Sequence, residues 1–219
     1  MKARLDGATL GYGAAPVLSG LDFTLDEGER VVLLGASGAG KSTLLAAIYR
    51  QMTTAHTRVA LVPQDHGLVP QLSVRRNVYM GRLDDHGGLV NLLRLIHLPH
   101  PVRARIDTVL SPLGLSDFAT RPVEALSGGQ RQRTALGRAL YRGGEVIVAD
   151  EPVSAVDAVQ AQDIMSLIAA HFQTALIALH DVELARSFAT RIVGLRGGRI
   201  LFDAASDQVS DGQIGALYA

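Results

Sequence analysis

Short apolar runs alternate with helical patterns along most of the chain. The runs typical of buried strands are 30–34, 58–63, 145–151 and 176–179. The segments with a helical pattern are 43–49, 131–140 and 158–171. This order predicts an α/β fold with a mostly parallel sheet, because parallel neighbours need a crossover that a helix usually supplies.

The two ends of the chain carry patterns typical of antiparallel strands. Residues 3–10 and 17–25 alternate roughly between apolar and polar positions and are followed by turn signals. They predict an N-terminal antiparallel β layer. Near the other end, 191–195 and 199–203 flank two glycines and predict a hairpin.

The middle third, about 65–125, differs in character and predicts a helical insertion within a single domain of residues 1–219. Segments 89–98 and 102–113 have helical patterns, separated by a break at 99–101. We expect the leucine stripe of the first helix to pack in a core, with a groove for a partner as the alternative. Arg75 and Arg76 are expected to be solvated surface charges, although they could instead face a partner.

Composition narrows the possible partners and chemistry. Lys+Arg and Asp+Glu number 21 each, so the net charge of zero gives no electrostatic case for a nucleic-acid partner. The chain has no cysteine, which excludes disulfides, zinc–thiolate sites and cysteine nucleophiles. It shows no leader-like start and no run near the roughly 18 apolar residues needed to span a bilayer. We expect a soluble, cytosolic protein that only a partner could hold at a membrane.

A glycine-rich segment between the first buried strand and the next helix predicts a nucleotide-phosphate site. It reads G-x-x-x-x-G-K-S from Gly35 to Ser42. Its backbone amides and the helix N-terminus can cradle phosphates, Lys41 can reach the β- and γ-phosphates, and the Ser42 hydroxyl can face Mg²⁺. The alternative is a glycine-rich turn with an incidental lysine. We expect a site for a nucleoside triphosphate.

Polar residues that follow other elements add candidate chemistry. A second anion-binding helix start is expected at 126–130, where Ser127 stands as an N-cap. Asp150 and Glu151 end a buried strand, which suits a magnesium-holding acid and a base on the opposite side of the strand. Gln64 also follows a strand. His180 is either structural or catalytic.

In this order the motifs resemble those of the ATP-binding cassette (ABC) ATPases over essentially the whole chain. The matching segments are 35–43 (Walker A), Gln64 (Q-loop), 126–130 (the LSGGQ signature), 146–151 (Walker B and glutamate), 154–157 (D-loop) and His180 (switch histidine). Tyr12 matches the aromatic residue that stacks on adenine; from composition alone it is an ordinary turn aromatic.

The resemblance implies ATP and Mg²⁺ as cofactors and gives each site residue a role. The implied catalytic residues are Lys41, Gln64, Glu151 and His180, and the implied metal-site residues are Ser42, Gln64 and Asp150. The implied nucleotide-binding residues are Tyr12, Gly35, Ala36, Ser37, Gly38, Ala39, Gly40, Lys41, Ser42, Thr43, Ser127, Gly128, Gly129 and Gln130.

The same resemblance implies an assembly. In this family a second copy supplies its signature to the ATP held by the first, in a head-to-tail dimer. Segments 77–83, 149–153 and 191–203 are most similar to the ATPase subunits of phosphonate importers. That similarity implies integral-membrane permease subunits as partners and a solute-binding protein as an indirect partner. It also implies a peripheral position on the cytoplasmic face of the inner membrane. The alternative is a soluble ATPase within an enzyme assembly such as a carbon–phosphorus lyase.

One departure from the family pattern concerns length. Only 23 positions (64 − 41) separate Lys41 from Gln64, fewer than in typical relatives. The missing part is expected to be a hairpin between the P-loop helix and the Q-loop strand, and no catalytic residue is lost with it.

Overall fold

A computed structural model describes residues 1–12, 15–55 and 57–219; the side chain of Tyr12 lies outside the described part. The strands are β1 (Ala3–Tyr12), β2 (Ala15–Leu25), β3 (Arg30–Leu34), β4 (Val59–Val62), β5 (Val146–Asp150), β6 (Thr174–Ala178), β7 (Arg191–Arg196) and β8 (Arg199–Ala205). The α-helices are α1 (Lys41–Thr54), α2 (Val74–Tyr79), α3 (Gly88–Ile96), α4 (His100–Leu110), α5 (Gly128–Arg142), α6 (Ala158–His171), α7 (Val182–Phe188) and α8 (Asp211–Tyr218).

The main sheet confirms the predicted α/β fold. Its strand order is β4-β5-β6-β3-β7-β8, and all neighbours are parallel except β7 and β8, which form the predicted hairpin. Strand β5 is buried at every position and β3 at all but its first residue, as expected for central strands covered on both faces. The carboxyl ends of β4, β5, β6 and β3 therefore meet along one edge of the sheet.

The predicted N-terminal antiparallel layer consists of β1 and β2, which pair with several register shifts. These strands share one core with the main sheet and α1. Leu18, Leu21 and Phe23 of β2 are buried in it beside Leu44 and Ile48 of α1. Helix α1 leads to β4 with residues 55–58 between them, and the described ones among those four form no strand.

The described chain divides into two compact units. One comprises Met1–Gln64 with Gly144–Ala219 and holds both sheets. The other comprises Asp65–Gly143 and is helical. Among the described residues, no helix is long and apolar enough to cross a bilayer.

Within the helical unit, the buried Asn77 of α2 holds the loop before its own helix. Its side-chain oxygen accepts from the backbone N–H of Val69 at 2.8 Å. Its amide nitrogen donates to the carbonyls of Val69, Leu72 and Ser73 at 3.0, 3.1 and 3.2 Å. Helices α2 and α4 pack against α5. One polar residue thus fixes the path of the chain over 69–73.

The expectation that the leucine stripe of α3 packs in a core is wrong. Leu89, Leu92, Leu93 and Ile96 are between 57% and 73% exposed. The one buried residue of the helix is Asn91, which accepts from the Tyr79 hydroxyl at 2.8 Å and donates to two backbone carbonyls. Helix α3 is therefore attached through an amide, and its apolar side chains point away from the unit.

The expectation of solvated charge at Arg75 is also wrong. Its guanidinium forms a forked ion pair with Asp107 of α4, with N–O distances of 2.8 to 3.1 Å. The neighbouring Arg76 donates to the carbonyl of Ile96 at 3.1 Å. Residues 32 positions apart cannot be paired from the pattern of either segment alone.

Candidate active site

The glycine-rich segment forms the turn between β3 and α1, and its glycines are required by conformation and space. Gly40 is the N-cap of α1 with φ of 102°. A side chain at Gly40 would collide with Leu18, and one at Gly35 would collide with the Leu195 carbonyl of the neighbouring strand β7. Residues 36–38 are exposed, so the crest of the turn is open. The turn can therefore receive a ligand there without rearrangement of the buried parts.

Lys41 is the first residue of α1, and its ammonium group lies inside the turn. It donates to the carbonyl of Gly35 at 2.7 Å and to that of Ala36 at 3.1 Å. Burial lowers the pKa of Lys41, while the carboxylates of Glu151 and Asp150 act to raise it. The lysine is only 6% exposed, so its charge is held close to the place where phosphates would bind.

Asp150 ends β5 and is buried beside Ser42. Burial raises the pKa of its carboxyl group and is only partly offset by a hydrogen bond from the Ser42 hydroxyl. The charge of Glu151 acts in the same direction as burial, whereas Lys41 and His180 oppose it. A buried carboxylate of this kind is costly unless a cation compensates it. The Asp150 carboxylate and the Ser42 hydroxyl together offer hard oxygen atoms at the carboxyl end of β5.

Strand β5 ends at Asp150, so Glu151 is not the next residue of the strand. The expectation that strand alternation turns the two carboxylates to opposite sides is therefore wrong. Glu151 has a φ of 51°, which places it in the left-handed region, just beyond the end of β5. Its backbone N–H donates to the Ala178 carbonyl at 3.1 Å. This turn directs the carboxylate to His180, whose Nε2 lies 2.5 Å from Oε1 of Glu151. A left-handed non-glycine residue is a common sign of a functional position.

His180 and Gln64 follow the two neighbouring strands. His180 lies two residues after β6, with a side chain 48% exposed. Gln64 lies two residues after β4 and is exposed. The structure thus brings Lys41, Ser42, Asp150, Glu151 and His180 together through contacts and charge interactions, and it places Gln64 along the same sheet edge.

The signature segment lies in the helical unit. Ser127 is the N-cap of α5, as predicted, and forms a capping box in which its side chain and that of Gln130 satisfy each other's backbone N–H groups. Gly128 and Gly129 begin this helix, with Gly128 exposed and Gly129 half-buried. The predicted platform Tyr12 ends β1, and its side chain falls outside the described part.

Sequence reasoning missed two residues that shape the site. Leu18 fills the space beside Gly40, and Tyr218 of α8 reaches the glycine-rich turn. Burial raises the pKa of the Tyr218 hydroxyl, and a hydrogen bond from the backbone of Gly35 opposes that rise. No local signal marks either residue, because both act on a segment that is distant along the chain.

A third residue, Asp157, was matched only to the D-loop, yet it caps α6 by accepting from the Gln160 N–H at 2.9 Å. The polar residue just before the helical pattern of 158–171 was the available signal.

Residues 18–154 match the family described as ABC transporter. The chain belongs to the ABC transporter family of ATP-binding proteins. As an ABC ATPase it binds and hydrolyses ATP.

Curated relatives of this ABC ATPase extend over nearly its full length. It is 37% identical to the phosphonates import ATP-binding protein PhnC of Pseudomonas entomophila (strain L48), over 100% of this chain and 92% of the relative. It is 36% identical to the phosphite import ATP-binding protein PxtA of Stutzerimonas stutzeri, over 99% of this chain and 86% of the relative.

A solved structure supports the same family. The dimeric post-hydrolysis state of the ATP-binding cassette MJ0796 bound to ADP and Pi is 26% identical, with a TM-score of 0.80 over 93% of this chain and 98% of that one. A nucleotide-free cassette from an ABC transporter, 22% identical with a TM-score of 0.73, supports the fold.

Proposed function

We propose that this ABC ATPase powers the import of a phosphonate or a related phosphorus oxyanion. The observation that carries the proposal is the full-length similarity to phosphonate and phosphite import proteins. The cluster at the sheet edge supports the energy-supplying role, because it joins a phosphate-binding turn to a carboxylate and a histidine. The similarity to import proteins does not favour the alternative of a subunit in a carbon–phosphorus lyase assembly.

In this proposal the chain's own residues position ATP and activate water. The amides of 35–43 and the Lys41 ammonium bind the phosphates, and Tyr12 stacks on adenine. As the water oxygen bonds to the γ-phosphorus and the bond to the leaving ADP oxygen breaks, the water passes a proton to the Glu151 carboxylate, whose Oε1 contacts His180. His180 then contacts the γ-phosphate and holds Glu151 in its orientation.

Mg²⁺ fits the residues at the end of β5. The Ser42 hydroxyl and the Asp150 carboxylate supply hard oxygen ligands, and the raised pKa of Asp150 indicates a carboxylate that a cation would stabilise. Gln64 can add an amide oxygen from the adjacent strand end. When bound, Mg²⁺ would neutralise negative charge on the phosphate oxygens.

The proposed assembly is a homodimer bound to permease subunits. Ser127, Gly128, Gly129 and Gln130 would act on the ATP of the second copy, as the dimeric state of the solved relative supports. The exposed apolar side of α3 and the segment after Gln64 would face the permease, on the cytoplasmic side of the inner membrane. A solute-binding protein would deliver the oxyanion. Residues 1–219 would act as one cassette with a helical insertion.

Co-purification tests the transport role. The tagged chain would be isolated from its source membranes in mild detergent and its partners identified by mass spectrometry. We expect a multi-span permease. A soluble set of lyase-type proteins without a membrane component would contradict import while leaving the ATPase assignment intact.

A substitution tests the base. We expect Glu151→Gln to bind ATP and remain dimeric without turnover, because the amide keeps the shape of the carboxylate but cannot accept the proton of water. The exposed Glu183 of α7 provides the matched control, and Glu183→Gln should hydrolyse ATP normally. Normal ATP hydrolysis by Glu151→Gln would refute the assignment of the base.

A further inference from the structure

The helical unit contains a half-open cavity of about 270 Å³, which we call the arginine pocket. It lies among α2, the end of α3 and the start of α4. Its wall includes Arg76, His97, Arg103, Thr120, Ile96 and Leu98. Within the described part of the chain, no aspartate or glutamate lines it. The lining therefore combines cationic and hydrogen-bonding residues with apolar ones.

The charge balance of the arginine pocket is uneven. A third lining arginine, Arg75, is neutralised by its forked ion pair with Asp107. Among the described residues, neither Arg76 nor Arg103 has a carboxylate partner, and the guanidinium group of Arg76 donates to the Ile96 carbonyl. Two guanidinium charges consequently border the cavity with no carboxylate partner among the residues that the structure describes.

Arg103 provides a second, independent observation. Its Nε is buried and has no hydrogen-bond partner in the described part of the chain. A buried donor left unsatisfied carries the full cost of its desolvation, and that cost is larger when the donor is charged. Native structures rarely leave such a group unpaired without a ligand, an ion or water to satisfy it. The unpaired donor and the uncompensated charge both indicate a bound anion.

The shape of the donors narrows the class of anion. Guanidinium groups bind phosphate and carboxylate through two parallel N–H groups, so both classes are candidates. Thr120 and His97 add further hydrogen-bonding groups to the lining, which favours a ligand with three oxygen atoms over one with two. Ile96 and Leu98 leave room for a small apolar substituent.

We propose that the arginine pocket binds a small phosphorus oxyanion of the phosphate or phosphonate class. Every residue of the pocket belongs to the unit Asp65–Gly143, whereas Lys41, Ser42, Asp150, Glu151 and His180 belong to the other unit. The site is thus additional to the ATP site, and its occupancy does not depend on which solute the transporter carries.

Calorimetric titration of the full chain tests the proposal, with methylphosphonate as the probe. A saturating non-hydrolysable ATP analogue fills the glycine-rich turn, so that the probe cannot bind there. We expect saturable binding that weakens about tenfold to a hundredfold in Arg103→Gln, the range for loss of a charge-assisted hydrogen bond. Arg105→Gln, an exposed arginine on the same helix and outside the pocket, should bind as the unsubstituted chain does.

The ring signals of His97 give a readout that does not depend on the folding of a variant. In the unsubstituted chain, methylphosphonate should shift these signals in a nuclear magnetic resonance titration with the calorimetric affinity. Absence of binding, or equal binding by Arg103→Gln and the unsubstituted chain, would overturn the proposal.

Two further ligands separate the sources of the anion. Tighter binding of inorganic phosphate than of methylphosphonate would assign the site to free phosphate, and the reverse order would assign it to an organic phosphonate; both support the proposal. Acetate that binds as tightly as either would overturn the phosphorus class, because a carboxylate group would then suffice.

Discussion

Gly40→Ala should destabilise the chain through a contact as well as through backbone strain. Gly40 has φ of 102°, and a Cβ there would lie 2.6, 2.8 and 3.3 Å from the end of the Leu18 side chain. Leu18 is fully buried in the core of β2 and α1 and has little room to move. Gly38 is the matched control, since its φ is 79° but a Cβ there would meet open space.

The magnitude follows from these two terms. A side chain in the left-handed region costs about 1–2 kcal/mol, and this is the whole expected loss for Gly38→Ala. Overpacking of a filled core costs about 1–3 kcal/mol more, so Gly40→Ala should lose about 3 kcal/mol of the free energy of unfolding. Because Gly40 is the N-cap of the helix that carries Lys41, the Gly40→Ala variant should also bind ATP more weakly.

Equilibrium unfolding in urea measures the stability, and titration with a fluorescent ATP analogue measures the affinity. Addition of Leu18→Ala should relieve the contact, so the double variant should lose about 1–3 kcal/mol less than the sum of the two single losses. Equal losses for Gly38→Ala and Gly40→Ala, or simple additivity with Leu18→Ala, would refute the reasoning.

Two other substitutions test contacts described above. Asn77→Ala should lower the free energy of unfolding by about 2 kcal/mol, because it removes the hydrogen bonds of a buried amide and leaves the half-buried Val69 N–H without its acceptor; urea unfolding measures this, and a loss below about 1 kcal/mol would contradict it. Tyr218→Phe should raise the KM for ATP about fivefold at unchanged kcat, since the Gly35 amide loses its acceptor; steady-state ATPase assays measure it, and an unchanged KM would exclude the role.

The sequence predicted the sheet well because its strands are buried and uninterrupted. The predicted strand 30–34 coincides with β3, and the helical pattern 158–171 coincides with α6. The short helices α2, α7 and α8 were not predicted. Each spans eight residues or fewer, too short for a helical period to stand out from its surroundings.

The site was predicted through motifs, and the motifs do not contain the tertiary contacts between distant parts of the chain. The pairing of Arg75 with Asp107 joins two helices of the helical unit. The contact of Tyr218 with Gly35 joins the last helix of the chain to the glycine-rich turn. Periodicity likewise could not tell which face of α3 is attached, because a buried Asn91 among leucines reads as a polar interruption. Such facts depend on which elements become neighbours.

The attachment of α3 through Asn91 affects how long an unassembled copy of the protein survives in the cell. A helix with few buried apolar contacts unfolds locally at a lower free energy than the core. Amide hydrogen exchange and proteolysis should therefore begin at α3. A partner that covers its leucines would stabilise the closed form by mass action. The abundance of the chain would then follow the supply of its partner, with unassembled copies removed first.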